Sequence, residues 1–261
     1  PEEIYKAHES KIIFGVKLYP AGATTNSDTG VTNLGKLNKT FAAMQEVGMV
    51  LQIHGEVTDK NIDIFDREAV FIETILKPLV EKFPTLKVSL EHITTEESVT
   101  FVTKDSDSVH ASITPQHLLY NRNDMLVSGI RPHLFCLPIL KRERHQQALI
   151  EAATSGNKKL YLGTDSAPHA RDQKENCCGC AGCYSHLSAI ELYAEVFDQF
   201  NALDKLEGFA SMHGPDFYGL PYNDSFISLK RQKWKIPSSI KYLNTELIPL
   251  GANSELNWKL I

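Results

Sequence analysis

Residues 49–54 of the chain read MVLQIH, an apolar run that ends on a histidine, and this stretch decides the fold. Its aliphatic and β-branched side chains predict a buried strand. The pattern recurs in residues 12–19 (IIFGVKLY), where Lys17 lies near the end, and in residues 86–92 (LKVSLEH), which also end on a histidine. Each predicted strand therefore places a polar side chain at its C-terminal end.

Helical patterns separate these strands. Asn33 is a predicted N-cap, apolar residues recur at helical spacing as far as Val47, and Gly48 is a typical residue at which a helix ends. Further helices are predicted at residues 70–83 and 142–153, further strands at 109–114 and 159–165, and short, less regular strands at 226–229 and 256–260.

Repeated strand-helix units with nearly continuous apolar strands predict an α/β fold, in which helices cover both faces of a parallel sheet. At this length the sheet is either a (β/α)8 barrel or a doubly wound sheet. Lys17, His54 and His92 lie 37 and 38 residues apart, which is about one strand-helix unit each. The three side chains are therefore predicted at the C-terminal ends of successive strands, which surround the active site in a (β/α)8 barrel.

The composition is that of a globular protein with a sizeable core, since 42% of the 261 residues are hydrophobic and 23% are charged. No linker or repeat divides the chain, so residues 1–261 are predicted to form a single domain. The net charge of -5, without a basic tract, argues against nucleic acid or an anionic membrane as a partner and favours a small molecule. No apolar run approaches the roughly 20 residues of a membrane helix, and we expect a cytoplasmic protein.

Five cysteines, four of them in residues 177–183 (CCGCAGC), are the next unusual feature. An odd number without a secretory leader argues for reduced thiols rather than for a disulfide framework. The clustered spacing alone is also compatible with a structural zinc site or a redox pair.

His54, His92 and Asp165 are suitable zinc ligands, because neutral imidazole and carboxylate groups both bind this metal. Any one such histidine is more often a hydrogen-bonded polar residue at the end of a strand. Two histidines at matched positions, together with residues 163–165 (GTD), make a metal site the better interpretation.

Lys17 ends an otherwise apolar strand, where an unpaired ammonium group is costly. One interpretation is that the amine takes up carbon dioxide and becomes a carbamate, an anion whose two oxygens can bridge two metal ions. The other is that the lysine forms an ion pair with a carboxylate such as Glu91. The residues alone do not choose between them.

Seven motifs, in unbroken order from about residue 10 to Pro221, resemble the dihydroorotases of the short, monofunctional type. They are residues 17–27 (KLYPAGATTNS), 54–57 (HGEV), 91–95 (EHITT), 114–118 (TPQHL), 131–133 (RPH), 136–142 (CLPILKR) and 163–169 (GTDSAPH).

The resemblance implies a (β/α)8 barrel of the amidohydrolase type with two zinc ions per subunit, bridged by carboxylated Lys17 and a hydroxide. His54 and His92 match ligands of the more exposed zinc, and Asp165 matches a ligand of the buried zinc that also transfers the proton. The implied reaction is the reversible cyclisation of N-carbamoyl-L-aspartate to L-dihydroorotate in de novo pyrimidine synthesis. A homodimer is implied by the family alone.

The substrate contacts are likewise implied by the resemblance. Thr24 and Thr25 match threonines of a loop that closes over the substrate, and His169 matches a histidine that binds the ring carboxylate. Leu137 and Ala181 match positions whose backbone groups contact the pyrimidine ring and that carboxylate. The cysteine cluster becomes a tight loop beside the active site, with reduced thiols that bind no metal.

The chain departs from the family pattern at one point. Dihydroorotases begin with a His-x-His pair, a substrate-binding arginine and an asparagine, and no His-x-His occurs in these 261 residues. We therefore expect an N-terminally truncated barrel that lacks its first strands, with the activity belonging to the longer chain. The alternatives are another cyclic amidohydrolase, such as a dihydropyrimidinase or hydantoinase, an inactive homologue that serves as a scaffold, and a zinc or redox module built on the cysteines.

Overall fold

The computed structural model describes residues 1–24, 27–177 and 179–261. The helices are α1 Glu2–Ser10, α2 Asn38–Val47, α3 Arg67–Phe71, α4 Lys77–Lys82, α5 Glu96–Thr100, α6 Pro115–Leu119, α7 Arg122–Leu126, α8 Glu143–Thr154, α9 Arg171–Lys174, α10 Ala189–Gln199, α11 Leu203–Glu207 and α12 His213–Tyr218. Short 3-10 helices cover Leu34–Leu37, Pro132–Leu134 and His186–Ser188, and π-helical turns cover Ile72–Leu76, Phe101–Asp105 and Gly208–Met212. The strands are β1 Gly15–Leu18, β2 Val50–His54, β3 Val88–Glu91, β4 Val109–Ile113, β5 Leu160–Leu162, β6 Leu229–Lys235, β7 Ile240–Tyr242, β8 Thr245–Leu247 and β9 Glu255–Leu260.

Five parallel strands form the central sheet in the order β1-β2-β3-β4-β5, with helical segments between successive strands. The predicted α/β class is confirmed, and the sheet matches part of a (β/α)8 barrel. In the β2–β3 register His54 lies opposite Glu91, and in the β1–β2 register Leu18 lies opposite Ile53. Since the strands are parallel and in register, their C-terminal ends lie at the same edge of the sheet.

The sheet is buried on both faces, as the near-continuous apolar strands predicted. Every residue of β2 except Gln52 is buried, and so are Val88, Ser89 and Leu90 of β3. Helix α2 covers one side through Phe41 and Met44. This helix follows the predicted pattern, because Asn33 accepts a hydrogen bond from the Gly35 N–H and Gly48 ends α2 in the left-handed conformation.

The N-terminal end of the sheet differs from the prediction in two respects. The strand predicted from residue 12 begins at Gly15, and Ile12, Ile13 and Phe14 are exposed. Helix α1 precedes it and was not predicted. The late start of the strand has a physical cause: β1 is an edge strand of the described sheet, so the apolar run does not report burial there.

The C-terminal strands form a separate layer rather than part of the parallel sheet. β6 pairs antiparallel with β9, and β7 pairs antiparallel with β8. The strand predicted at residues 256–260 is confirmed as β9, which is anchored to α10 by hydrogen bonds from Asn257 and Trp258 to Glu195. The strand predicted at residues 226–229 was wrong, because only its last residue belongs to β6. None of the helices in the described part of the chain has the length and apolar character needed to span a bilayer.

Candidate active site

The C-terminal ends of β1, β2 and β3 bring three of the predicted metal ligands to one edge of the sheet. Lys17 lies in β1, His54 is the last residue of β2, and His92 directly follows β3. The two histidines are buried, and their rings meet edge to face with centroids 4.8 Å apart. The sequence prediction that these strand ends converge is therefore confirmed for the histidine pair.

His92 and Asp165 share an unusual backbone conformation. Their φ angles are 45° and 42°, in the left-handed region that side chains with a Cβ seldom adopt. Each follows the C-terminal end of a parallel strand, and such strain, of order 1 kcal/mol or more, tends to occur at functional sites. Two of the predicted ligands are thus among the seven described residues other than glycine that have a positive φ.

Ser112 supports both strained positions. Its hydroxyl oxygen accepts a 2.8 Å hydrogen bond from the His92 N–H, which fixes the turn after β3. A Cβ on Gly163 would lie 2.5 Å from the Ser112 Cβ, so only glycine lets the chain that leads to Asp165 lie this close to the serine. The turns that carry His92 and Asp165 are thus fixed against one another.

The two imidazoles are prepared for a metal in complementary ways. His54 Nε2 lies 2.8 Å from the buried carboxylate of Glu56, so the Nε2–H donates to it and Nδ1 keeps a free lone pair. His92 Nδ1 is buried and has no hydrogen-bond partner among the described residues. Burial, together with the charge of Lys17, holds the pKa of His92 well below its usual value, so the ring is neutral, which is the form that binds metal. This donor set fits a zinc ion.

Lys17 pairs with Glu91 in this structure, through a hydrogen bond between the ammonium group and the carboxylate. This is the ion pair that sequence reasoning left open as the alternative to a carbamate. Asp165 lies within the electrostatic reach of the same groups. Burial raises the pKa of Asp165; the charge of Lys17 opposes that shift, Glu91 reinforces it and His54 opposes it.

The possible ligand atoms of His54, His92 and Asp165 do not all lie within 4.8 Å of one another. Among the described residues, that spacing is met by Glu96, Glu97 and His145. His145 Nδ1 accepts a 3.2 Å hydrogen bond from the Glu96 N–H, and Arg144 forms an ion pair with Glu96. These contacts join α5 to α8, so the group formed by Glu96, Glu97 and His145 has a structural role.

Glu68 is a functional residue that sequence reasoning missed. It is fully buried on α3, and its carboxylate accepts hydrogen bonds from the backbone N–H groups of Thr94 and Thr95 and from the hydroxyls of both threonines and Ser98. Burial raises the pKa of Glu68, but the Lys141 charge and these hydroxyls outweigh it, so the pKa lies below its usual value. The loop that follows His92 is therefore anchored by an ionised carboxylate.

Replacing Glu68 by glutamine is expected to lower the free energy of unfolding by about 3 kcal/mol, because an NH2 group would meet donors that now bind a carboxylate. The folded-state pKa is depressed, so this contribution is present at pH above about 4.5 and is lost as the pH falls through the folded-state pKa. Urea unfolding of wild type and Glu68→Gln at several pH values measures it.

The matched control for that experiment is Glu73→Gln, since Glu73 lies on the same helical stretch but is exposed and pairs with Lys77. Its effect should stay within about 0.5 kcal/mol. Equal effects of the two substitutions, or a difference between Glu68→Gln and wild type that grows on acidification, would contradict the role of Glu68.

Two of the predicted substrate-binding residues are brought together by the structure. His169 Nε2 lies 3.1 Å from the carbonyl oxygen of Ala181, and Gly182 next to Ala181 donates its N–H to the Phe135 carbonyl, two residues before Leu137. Thr24 lies in the loop after β1, where it exchanges hydrogen bonds with Ser27. Thr25 lies outside the described residues.

The cysteine segment joins this loop network. Cys136, Cys177, Cys180 and Cys183 are free thiols, and Cys178 lies outside the described residues. Cys183 is buried, and its carbonyl accepts a 2.9 Å hydrogen bond from the Ala167 N–H. The segment therefore packs against residues 163–169, in agreement with the predicted tight loop beside the active site.

Comparisons with known proteins agree with this geometry. The sequence model of the amidohydrolase family matches residues 1–225. The chain is 61% identical over 261 residues to a dihydroorotase of Acaryochloris marina, covering 76% of that protein, and 60% identical over 260 residues to one of Shewanella oneidensis, also covering 76%.

Solved structures show the same relationship. A dihydroorotase from Saccharomyces cerevisiae, solved in complex with 5-fluoroorotic acid, superposes with a TM-score of 0.91 at 35% identity and covers 100% of this chain and 77% of its own. A D-hydantoinase from Bacillus sp. AR9 superposes with a TM-score of 0.80 at 16% identity and covers 100% of this chain and 64% of its own, which shows a common fold alone.

Proposed function

The chain belongs to the amidohydrolase family and, within it, to the dihydroorotases, which are cyclic amide hydrolases; from this premise we propose that it performs the zinc-dependent, reversible cyclisation of N-carbamoyl-L-aspartate to L-dihydroorotate in de novo pyrimidine synthesis. The observation that carries the proposal is the buried His54–His92 pair beside Lys17, with His92 and Asp165 held in left-handed conformations. The chain spans about three quarters of the length of the relatives named above.

Four residues of this chain would hold metal. His54 and His92 would supply imidazole nitrogens, and Asp165 would supply a carboxylate. Lys17, as a carbamate, would supply anionic oxygens as further ligands of the two zinc ions. Two adjacent divalent cations would polarise the scissile carbonyl and make a water molecule acidic enough to attack near neutral pH.

Asp165 has a second role in this proposal, as the group that takes a proton from the attacking water and delivers it to the leaving ring nitrogen. Burial raises the pKa of its carboxyl in the metal-free protein, and bound zinc would shift that pKa in the opposite direction. Glu56 orients the His54 ring, and Glu68 holds the loop after His92, so both act through the ligands.

The substrate carboxylate would be bound by His169 and by the backbone at Ala181, while Leu137 contacts the ring. Thr24 would close over the substrate from the loop after β1, and Thr25, predicted to act with it, lies outside the described residues. The 3.1 Å contact between His169 and Ala181 supports a shared binding surface. We also propose a homodimer, which the exposed apolar residues Leu126, Val127 and Ile130 support. The free thiols support a cytoplasmic location.

The test uses protein expressed from the complete gene that encodes these residues. It should contain about two zinc ions per subunit, consume dihydroorotate, and lose activity on chelation and regain it with zinc. Dihydrouracil, which lacks the ring carboxylate, is the matched substrate. Preference for dihydrouracil would indicate a dihydropyrimidinase instead, and a folded, metal-free, inactive protein would indicate a scaffold.

A further inference from the structure

Lys174 is a buried lysine whose amine is bound entirely by backbone carbonyls. It ends the short helix α9 and is 3% exposed. Its Nζ donates hydrogen bonds of 2.8 Å to the Phe135 carbonyl, 2.7 Å to that of Cys180 and 2.7 Å to that of Gly182. An ammonium group has three N–H donors, so these bonds account for all of them.

The three carbonyls belong to two loops that meet at the proposed substrate-binding surface. Phe135 precedes Leu137 by two residues, and Cys180 and Gly182 flank Ala181 on both sides. The Gly182 N–H also donates to the Phe135 carbonyl over 2.9 Å. Lys174 therefore joins the backbone segments on which the contacts to the ring and to its carboxylate depend.

The loop that contains Cys180 and Gly182 is also closely packed against Ala167 and His169. Gly182 has φ 147°, and a Cβ there would lie 2.6 Å from the Ala167 Cβ and 3.0 Å from a ring carbon of His169. His169 in turn contacts the Ala181 carbonyl. The loop is thus held between Lys174 and His169, and a small change in the lysine would shift the backbone next to the substrate.

No acidic side chain pairs with Lys174 within the described ranges of the chain. The titratable groups near it are the thiols of Cys183, Cys136 and Cys180. Burying an ammonium without a carboxylate partner is costly, and three carbonyls offset only part of this cost. An anionic ligand beside Ala181 would provide the missing negative charge.

We propose that Lys174 is a positioning residue for the substrate carboxylate, because it fixes the Phe135–Leu137 and Cys180–Gly182 backbones and places a buried positive charge behind them. The inference rests on the proposed function and deepens it, since it ties recognition of the ring carboxylate to a residue outside the metal centre. The ligand class is a six-membered cyclic amide that carries a carboxylate.

The test compares Lys174→Met, which keeps the length of the side chain but cannot donate, with wild type in the complete protein. We expect KM for dihydroorotate and Kd for 5-fluoroorotate to rise about tenfold, the equivalent of one hydrogen bond to a charged group. The value of kcat should change by less than about threefold, and zinc per subunit should not change, because uniform binding is lost and the metal ligands are untouched.

Lys159→Met is the matched control, since Lys159 donates to the Ser106 carbonyl over 2.6 Å just before β5, at the other end of the sheet. It should keep both constants within about twofold of wild type. Lys174→Gln retains an N–H donor and should give an intermediate Kd; if the methionine variant does not fold, the glutamine variant carries the comparison.

Two outcomes separate this inference from the function on which it rests. The first outcome is that wild type hydrolyses dihydroorotate and that the Lys174 variants have the KM and Kd of wild type but a lower Tm. This outcome overturns the positioning role alone. A wild type that neither hydrolyses dihydroorotate nor binds 5-fluoroorotate overturns the proposed function, and the inference with it.

Discussion

Lys17→Ala is expected to reduce dihydroorotate hydrolysis by about 10³-fold or more and to lower the zinc content below that of wild type. If Lys17 holds the metal ions, its loss removes cations whose polarisation of the scissile carbonyl is worth several kcal/mol, and each 1.36 kcal/mol corresponds to about tenfold in rate. Zinc per subunit, measured beside the initial rate of hydrolysis, checks both parts. Mass spectrometry of the native protein should detect one added carbon dioxide in wild type and none in the variant.

Two further variants separate the carbamate from the ion pair that Lys17 forms with Glu91. Arginine preserves a positive charge but cannot form the carbamate, so Lys17→Arg should be as inactive as Lys17→Ala. If the ion pair were the whole role of Lys17, Lys17→Arg would retain activity and Glu91→Gln would match Lys17→Ala. Lys87→Ala, at the N-terminal end of β3, controls for general loss of a lysine; its side chain donates to the Phe217 carbonyl.

Asp165→Asn is the second large effect, with an expected loss of about 10³-fold in kcat for hydrolysis. The amide has nearly the shape of the carboxylate but accepts no proton from the attacking water. Steady-state kinetics over a range of pH measure the loss. The control is Asp172→Asn on α9, whose carboxylate accepts a hydrogen bond from Thr245 and which should keep kcat within about twofold.

The pH profile distinguishes proton transfer from metal binding by Asp165. The group must be ionised to accept a proton, so wild-type hydrolysis should fall as the pH drops through the pKa that Asp165 has in the zinc-loaded protein, which burial raises and bound cations lower. The asparagine variant, reloaded with zinc, should have lost this acidic limb. If Asp165→Asn still loses activity at low pH in the same way, the decrease belongs to another group. Asp165 would then act only as a metal ligand.

The sequence predicted most of the parallel sheet and the convergence of its strand ends, because the apolar runs of β2 to β5 are buried on both faces. It predicted the start of β1 and the strand at residues 226–229 less well, since apolar character at an edge does not distinguish a paired strand from an exposed segment. Membership of the dihydroorotases is confirmed by relatives 60–61% identical to this chain.

Glu56, Glu68, Ser112 and Lys174 were not predicted as parts of the site. Glu56 could have been noticed, since a carboxylate two residues after a ligand histidine is well placed to orient the ring. Glu68 and Lys174 gave no comparable signal, because charged residues on short helices usually face solvent. Glu68 and Lys174 are buried because loops that follow other strands pack against them.

The sequence by itself determined the residue types and the spacing of the proposed ligands, since a polar residue at the end of a buried strand is placed by the strand alone. Tertiary structure decided which distant polar groups meet. Glu68 reaches Thr94 across 26 residues, Lys174 reaches Phe135 across 39, and Lys17 reaches Glu91 across 74. Such pairs leave no periodicity in the sequence, because a side chain becomes a partner only when the packed sheet brings two distant strand ends within hydrogen-bonding distance.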